Sequence, residues 1–369
     1  MLTVAIICGG KSAEHEISLQ SAHNVYHALD PKNYKPLLIG IDKTGCWFLG
    51  TEQLLAHAED PSRIRLDKSA AEPLVLGTDK SGSLINFRML GGGRAVDVIF
   101  PVLHGPFGED GTIQGILKTA DIPFVGAGVL GSALGMDKDV MKRLLRDAGI
   151  PLGKFMVLRS HEAVPPFSHA AESLGLPFFV KPANMGSSVG IKKIHHEDEY
   201  QDSLRAAFAY DHKIILEEYI KGREIECAVL GNEEPVASVP GEVLCSAEFY
   251  SYEAKYLDEG SAVLVIPPEL PAETIERIRT MAIKTFQTIC ADGLSRVDFF
   301  LKPDGALLVN EINTMPGFTK MSMYPKLFEA SGVSYTHLLD RLITLAFQRF
   351  EKEKRLKTTY TLFEKVAER

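Results

Sequence analysis

Apolar residues recur along this chain in two rhythms, and the switches between them mark its elements. Short apolar stretches at 4–8, 36–41 and 96–100 predict strands of a doubly wound layer, and a helix over 19–29 separates the first two. Asp121-Ile122-Pro123-Phe124-Val125-Gly126 reads as one more short strand. Val140, Met141, Leu144, Leu145 and Ala148 then share a helix face, and Arg146, Gly149 and Pro151 supply its stop. Strands follow at 178–180, 214–219 and 224–230, and an apolar-faced helix over 335–350 ends the pattern. Two strands rich in branched and aromatic residues, Ser295-Arg296-Val297-Asp298-Phe299-Phe300-Leu301 and Leu307-Leu308-Val309-Asn310-Glu311-Ile312-Asn313, flank the turn residues Lys302-Pro303-Asp304-Gly305. Residues 51–94 are polar with weak periodicity and read as a peripheral excursion. The class is α/β, with a doubly wound parallel-sheet layer over 1–126 and further parts at 127–217 and 218–369.

Composition narrows the function. A chain of 369 residues, 45% apolar, can bury two or three real cores. Its net charge of -8 argues against nucleic acid backbones and anionic membranes as partners. No stretch approaches the length of a membrane span. The N-terminus is apolar but short and lacks a basic lead, so it reads as a buried strand. Five cysteines without metal-like spacing suggest a reducing compartment, and the expectation is a cytoplasmic protein.

The alternating pair carries the most chemistry. If Asp304-Gly305 is a two-residue hairpin loop, Pro303 faces Ala306, Asp298 faces Glu311 and Arg296 faces Asn313. Facing carboxylates repel unless something positive sits between them, and magnesium is a hard cation suited to that place. A solvated hairpin face is the alternative. The loop Asn184-Met185-Gly186-Ser187-Ser188-Val189-Gly190 follows a strand and is built from small residues, as a backbone cradle for phosphate would be, or a simple hairpin tip. Lys181 at that strand's end has the reach to add a charge. Neither G-x-x-x-x-G-K-[ST] nor G-x-G-x-x-G is present, which disfavours a P-loop NTPase and a nicotinamide dehydrogenase. Lys138 opens a helix where the macrodipole disfavours cations; an external anion would resolve that, or Asp137 and Asp139 offset it. Glu217 and Glu224 flank Lys221-Gly222-Arg223 and could accept hydrogen bonds from an adenine amino group and ribose hydroxyls. Glu14, at the end of the first strand, suits an ammonium group, whereas a lone His104 after a strand is more often structural.

In order, these pieces resemble an ATP-grasp ligase, and within that superfamily the D-alanine–D-alanine ligase family. The more specific marks are Gly9-Gly10-Lys11-Ser12-Ala13-Glu14-His15-Glu16, His104-Gly105 with Gly108-Glu109-Asp110-Gly111, Glu253-Ala254-Lys255-Tyr256 and Asn313-Thr314-Met315-Pro316-Gly317. The resemblance spans nearly the whole chain and is weakest at 51–94. It implies an ATP-grasp fold with ATP gripped between the central and C-terminal parts. It also implies that one D-alanine is phosphorylated to an acyl phosphate, which a second D-alanine attacks to give the dipeptide for peptidoglycan.

By matching position, Lys138, Lys181, Ser187 and Ser188 would hold phosphates, and Glu217, Glu218, Tyr219, Ile220 and Glu224 the adenosine. Asp298, Glu311 and Asn313 would bind two Mg2+ ions, or Mn2+. Glu14, with His104 nearby, would receive the first D-alanine's ammonium. Arg296 and the Gly317 N–H would stabilise the oxyanion. Ser322, Met323 and Lys255 would hold the second carboxylate and the phosphoryl group. Residues 243–261, with Phe249, Tyr250, Tyr252 and Tyr256, would close over the site, Tyr256 reaching Ser187 and Glu14. A homodimer is expected. The competing readings are a D-alanine–D-lactate or other amino-acid ligase, which Tyr256 disfavours, and a nucleotide-binding module without chemistry, which the Asp298, Glu311 and Arg296 set disfavours.

Overall fold

The computed structural model describes residues 1–58, 60, 62–74, 89–90, 94–245 and 262–358. Its first strand, Leu2–Gly9, is an inner strand of a five-stranded sheet. That strand pairs in parallel with Tyr34–Ile41 on one side and Val98–Pro101 on the other, and Trp47–Gly50 and Glu72–Leu74 extend the sheet. Alternation sends Val4, Ile6 and Cys8 to one face, against Leu19, Ala22 and Val25 of the helix His15–Ala28. Ala5 and Ile7 face the other way, toward Ile113 and Leu117 of the helix Thr112–Thr119. Both faces are therefore dry, which is why the strand reads as a continuous apolar run. Each Val, Leu or Ile buried in this way stabilises the fold by roughly 1.5–3 kcal/mol relative to exposure.

Two local expectations change. The first helix begins at His15, four residues before its apolar stripe, because Ser18 is buried and its hydroxyl accepts the Gly9 N–H at 2.8 Å. A polar residue serving the strand end interrupts the stripe. Residues 121–126 form only a parallel bridge, Ile99 with Phe124. Arg349 donates to the Phe124 carbonyl at 2.8 Å and to that of Gly126, the acceptors that point away from Ile99.

The middle of the chain builds a four-stranded antiparallel sheet, ordered Phe155–Arg159, Lys213–Glu218, Phe178–Pro182, Lys192–Ile194. The C-terminal part builds a second, ordered Ala262–Val265, Val236–Cys245, Arg223–Gly231, Gly293–Leu301, Leu307–Asn313. Its inner face packs Val297, Phe299 and Val309 on Ile278 and Phe286 of the helix Ala272–Thr288; on the other face Ala228, Leu230 and Val243 pack on Tyr324 and Leu327, and the rest stays open. The core of the first sheet continues into this part through Phe318, Leu338 and Leu342. Phe318 crosses edge-on against Phe100, with ring centroids 5.5 Å apart.

The last hairpin corrects the expected turn. Lys302, not Pro303, bonds with Ala306, so the loop is Pro303-Asp304-Gly305, and Gly305 takes the left-handed φ of +82° that this loop requires. The ladder then runs Leu301 with Leu307 and Phe299 with Val309, one residue out of the expected register. A bulge at Asn310 restores it, and Asp298 faces Glu311 and Arg296 faces Asn313 after all. Cys8, Cys46, Cys227 and Cys290 are free thiols, and no helix among the described residues is long and apolar enough to cross a membrane.

Candidate active site

The open face of the C-terminal sheet carries a row of carboxylates set by register. Glu226 lies opposite Asp298, and Asp298 opposite Glu311, across three neighbouring strands. Two cations answer the repulsion. Arg296 grips Asp298 with two parallel bonds of 2.7 Å, and its Nε is 2.9 Å from Glu226 Oε2. Burial would lower the guanidinium's pKa, but Asp298 and Glu226 outweigh it and hold the group charged. Lys138 Nζ stands 3.4 Å from Glu311 Oε2, and Asn313 Nδ2 donates to Asp298 Oδ2 at 3.1 Å. Two carboxylates and an amide oxygen within this reach are hard donors of the kind magnesium shares with phosphates. Among the described residues, no three His, Cys, Asp or Glu side chains form a cage by themselves.

Above this row lies a cavity of about 420 Å³ between the two antiparallel sheets. Lys138, Lys181, Ser187, Ser188, Glu217, Glu218, Tyr219, Ile220, Glu224, Asp298 and Glu311 all line it. Lys138 is the first residue of the helix Lys138–Asp147, as the pattern predicts. Its acidic neighbours do not serve it: Asp137 caps Val140 N at 3.1 Å and pairs with Lys213, and Asp139 pairs with Arg143 at 2.6 Å. Instead Lys138 Nζ donates to the Met185 carbonyl at 2.8 Å, at the root of the Gly/Ser loop. Glu217 sits between two lysines, 2.7 Å from Lys142 and 2.6 Å from Lys181. Burial opposes ionisation of its carboxyl, but the two ammonium groups hold its pKa at about 2. Burial also disfavours the Lys181 charge, and Glu217 more than offsets it.

The Gly/Ser loop forms a wall between this cavity and a smaller one of about 120 Å³. Ser187 and Ser188 hold left-handed φ values of +48° and +62°, a conformation costing on the order of 1–3 kcal/mol per residue and common where ligands are clamped. The smaller cavity is lined by Glu14, His104, Ser187, Arg296, Glu311, Asn313, Gly317, Ser322 and Met323. Glu14 is the N-cap of the helix His15–Ala28 but makes no capping bond; its carboxylate accepts from Ser187 Oγ instead. Two glycines make room for it. A Cβ at Gly105 or Gly186 would come within 2.8 or 2.9 Å of Glu14 Oε2. Opposite stands Gly317, where a Cβ would lie 2.6 Å from Ser322 Oγ. Ser322 precedes the helix Met323–Ala330, so the helix N-terminus points its amide groups at this space.

Beneath the smaller cavity, loops of the first sheet are tied to residues 315–318. His104 Nδ1 donates to the Met315 carbonyl at 3.0 Å and Nε2 meets Ser21 Oγ at 3.2 Å, while burial lowers its pKa and keeps it neutral. Glu109 accepts the Gly105 N–H at 2.7 Å and the Met315 N–H at 3.1 Å. Burial, then the nearby Glu14, raises its carboxyl to about 8.

Three members of this arrangement escaped the sequence reading. Glu226 shares the Glu224 face by alternation along one strand, a signal that was available. Lys142 follows Lys138 by one helical turn. Glu109 stood inside a quoted motif without a role. Lys255 and Tyr256, and most of the segment 243–261 expected to close over the site, lie outside the described residues.

Comparison with known proteins agrees with this geometry. The profile described as D-ala D-ala ligase N-terminus matches residues 3–127, and that of the D-ala D-ala ligase C-terminus matches 144–344. The chain is 49% identical to a D-alanine–D-alanine ligase of Oceanobacillus iheyensis, over 96% of this chain and 98% of that one. It is 48% identical to D-alanine–D-alanine ligase A of Escherichia coli, over 97% and 99%. Among solved structures, the D-alanine–D-alanine ligase of Coxiella burnetii superposes with a TM-score of 0.80 at 35% identity, covering 96% of this chain and 98% of that one. A D-Ala:D-Ser ligase of Enterococcus faecalis gives 0.79 at 35%, covering 94% and 99%. The ATP complex of the Bacillus anthracis D-alanine–D-alanine ligase gives 0.71 at 27%, covering 96% and 100%. These neighbours have the ATP-grasp fold. By both profiles and by relatives matched over nearly its full length, this chain belongs to the D-alanine–D-alanine ligase family.

Proposed function

We propose that this chain joins two D-alanines, using ATP, with the larger cavity holding the nucleotide and the smaller one the amino acids. The observation that carries the reading is their common wall: Ser187 and Glu311 line both spaces, so a terminal phosphoryl group in one reaches a carboxylate in the other. Lys138, Lys181 and the amides of 187 and 188 hold the phosphates, while Glu217 to Ile220 and Glu224 receive adenine and ribose. Glu14 takes the first D-alanine's ammonium and aims its carboxylate at the phosphoryl group.

A carboxylate oxygen attacks the terminal phosphorus, ADP leaves, and D-alanyl phosphate forms. The second D-alanine lies with its carboxylate at Ser322 and the Met323 N–H, and its amine attacks the acyl carbon. Arg296 and the Gly317 N–H stabilise the oxyanion, phosphate departs with the original carboxylate oxygen, and the amine loses its proton. Alignment and charge neutralisation suffice for both steps, so no nucleophilic side chain is needed. Asp298, Glu311 and Asn313 would hold a pair of magnesium or manganese ions, which neutralise charge on the transferring phosphoryl group. Lys255 and Tyr256 belong to the closing segment. The division at 126 and 217, a cytoplasmic location and a homodimer complete the proposal.

The test is phosphate release and product analysis with ATP, magnesium and a panel of D- and L-amino acids. D-alanyl-D-alanine is expected, dependent on the metal. Preference for L-alanine, or product without a divalent ion, contradicts the reading; D-serine or D-lactate as the favoured second substrate would shift it to another ligase of this family.

A further inference from the structure

Lys142 has no part in the chemistry assigned above, yet its side chain is only 4% exposed at the floor of the larger cavity. It follows Lys138 by one turn, so both ammonium groups leave one helix face and meet consecutive residues of the strand Leu307–Asn313. Lys138 stands 3.4 Å from the Glu311 carboxylate, and Lys142 donates to the Asn310 carbonyl at 3.1 Å. Asn310 is the bulged residue that brings Glu311 opposite Asp298. The same Lys142 Nζ lies 2.7 Å from Glu217 Oε1. A buried ammonium has three donors and needs partners for its charge. Here two of its partners belong to the two sheets that enclose the cavity, Glu217 to the middle one and Asn310 to the C-terminal one.

We propose that Lys142 is a positioning residue that couples the purine end of the nucleotide cavity to its metal end. Holding Glu217 Oε1 keeps that carboxylate aimed to accept from the adenine amino group. Holding the Asn310 carbonyl pins the bulge, and with it the direction of Glu311. The inference rests on the ATP reading above. A methionine at 142 keeps the stem's packing and leaves Glu217 paired with Lys181, so no carboxylate is orphaned, but both tethers are lost.

The full chain and Lys142→Met are compared by calorimetric binding of ADP and IDP and by paramagnetic titration of Mn2+ into the ADP complex. Neither readout needs turnover, and a residue that only filled space would move neither. IDP carries a carbonyl where ADP has its amino group, so an aimed Glu217 should favour ADP by about tenfold or more in the natural chain. In Lys142→Met that preference should fall to about twofold, and Mn2+ affinity should drop about tenfold, as expected for losing a charge-assisted bond. Lys142→Gln keeps a donor for Asn310 without the charge; it should lose the base preference and keep Mn2+ affinity, and it decides the matter if the methionine variant does not fold. Unchanged preference and Mn2+ affinity overturn the proposal, and loss of only one of them in Lys142→Met overturns the coupling. A natural chain that binds neither ADP nor IDP refutes the ATP reading instead.

Discussion

The two cavities that meet at the Gly/Ser loop are built by different means. The larger takes its charges from regular elements: Glu217, Glu224, Glu226, Asp298 and Glu311 from strands, Lys138 and Lys142 from one helix face. The smaller is closed where loops converge, by Glu14 and Gly105 after strands of the first sheet, Ser187 from the middle sheet, and Gly317 and Ser322 from the C-terminal part. Regular elements place charge by period, so their cations and anions pair closely, as Glu217 does with two lysines. Loops place backbone amides and bare glycine surfaces instead. One end of the site is suited to polyvalent phosphate and metal, the other to the shape of a small amino acid.

That contrast is sharpest where the acidic row meets the common wall, and Asp298→Asn and Glu311→Gln should each lower turnover by about 10³-fold or more while leaving the fold intact. The comparison for scale is the 10²–10³ lost with one oxyanion donor. Steady-state rates at saturating magnesium check it, and near-normal rates would remove the hairpin from the site. Gly105→Ala should separate the cavities: its Cβ would meet Glu14 Oε2 at 2.8 Å, in a backbone with φ of +74°. The KM for the first D-alanine should rise by about one to two decades, from losing ~1–3 kcal/mol at the ammonium, with ATP affinity unchanged. A parallel loss of ATP affinity would show that the cavities are not independent.

Tyr256→Phe probes the segment proposed to close over both. It should lower dipeptide synthesis by roughly one to two decades and let D-lactate compete better at low pH, where the D-alanine amine is protonated. Competition assays across pH read this, and an unchanged product ratio makes the tyrosine a packing residue. Lys181→Ala should act on the larger cavity alone, weakening ATP binding by about tenfold with the D-alanine KM kept.

The smallest effects are on stability, and the two cavities should differ in sign. Glu217 is held at about 2 against an ordinary 4.5. Its contribution is present above pH 4.5 and is lost as pH falls toward 2, on the order of 3 kcal/mol. Glu109, raised to about 8, is protonated in the folded chain where the unfolded chain has released its proton, so stability declines as pH rises from 4.5 to 8. Denaturant titrations across pH should show the acid limb flattened by Glu217→Gln and the alkaline slope flattened by Glu109→Gln. Slopes unchanged in both variants would assign the pH dependence to other groups.

The same contrast explains what the sequence made legible. Strand alternation placed Arg296, Asp298, Glu311 and Asn313 on one face correctly, although by two errors that cancel: a loop one residue longer than expected, and a bulge at Asn310. Bulges leave little trace in apolar periodicity, because Asn310 and Glu311 are both polar. Lys142 was invisible because a lysine on an amphipathic helix ordinarily faces water; only tertiary packing reveals that this one points into a cavity. The loop residues of the smaller cavity follow no period. Glu14 could be reached from its place at a strand's end, Gly317 and Ser322 only through the family resemblance, and Glu109 shows that a motif names a residue without explaining it.

The central claim is that a phosphoryl group crosses the common wall to a D-alanine carboxylate. It is tested most directly with D-alanine carrying ¹⁸O in its carboxylate, incubated with the chain, ATP and magnesium, followed by mass analysis of the phosphate released. One ¹⁸O atom is expected in each phosphate formed together with dipeptide, because the acyl oxygen leaves on phosphorus. Phosphate free of the label, with dipeptide still produced, would contradict it.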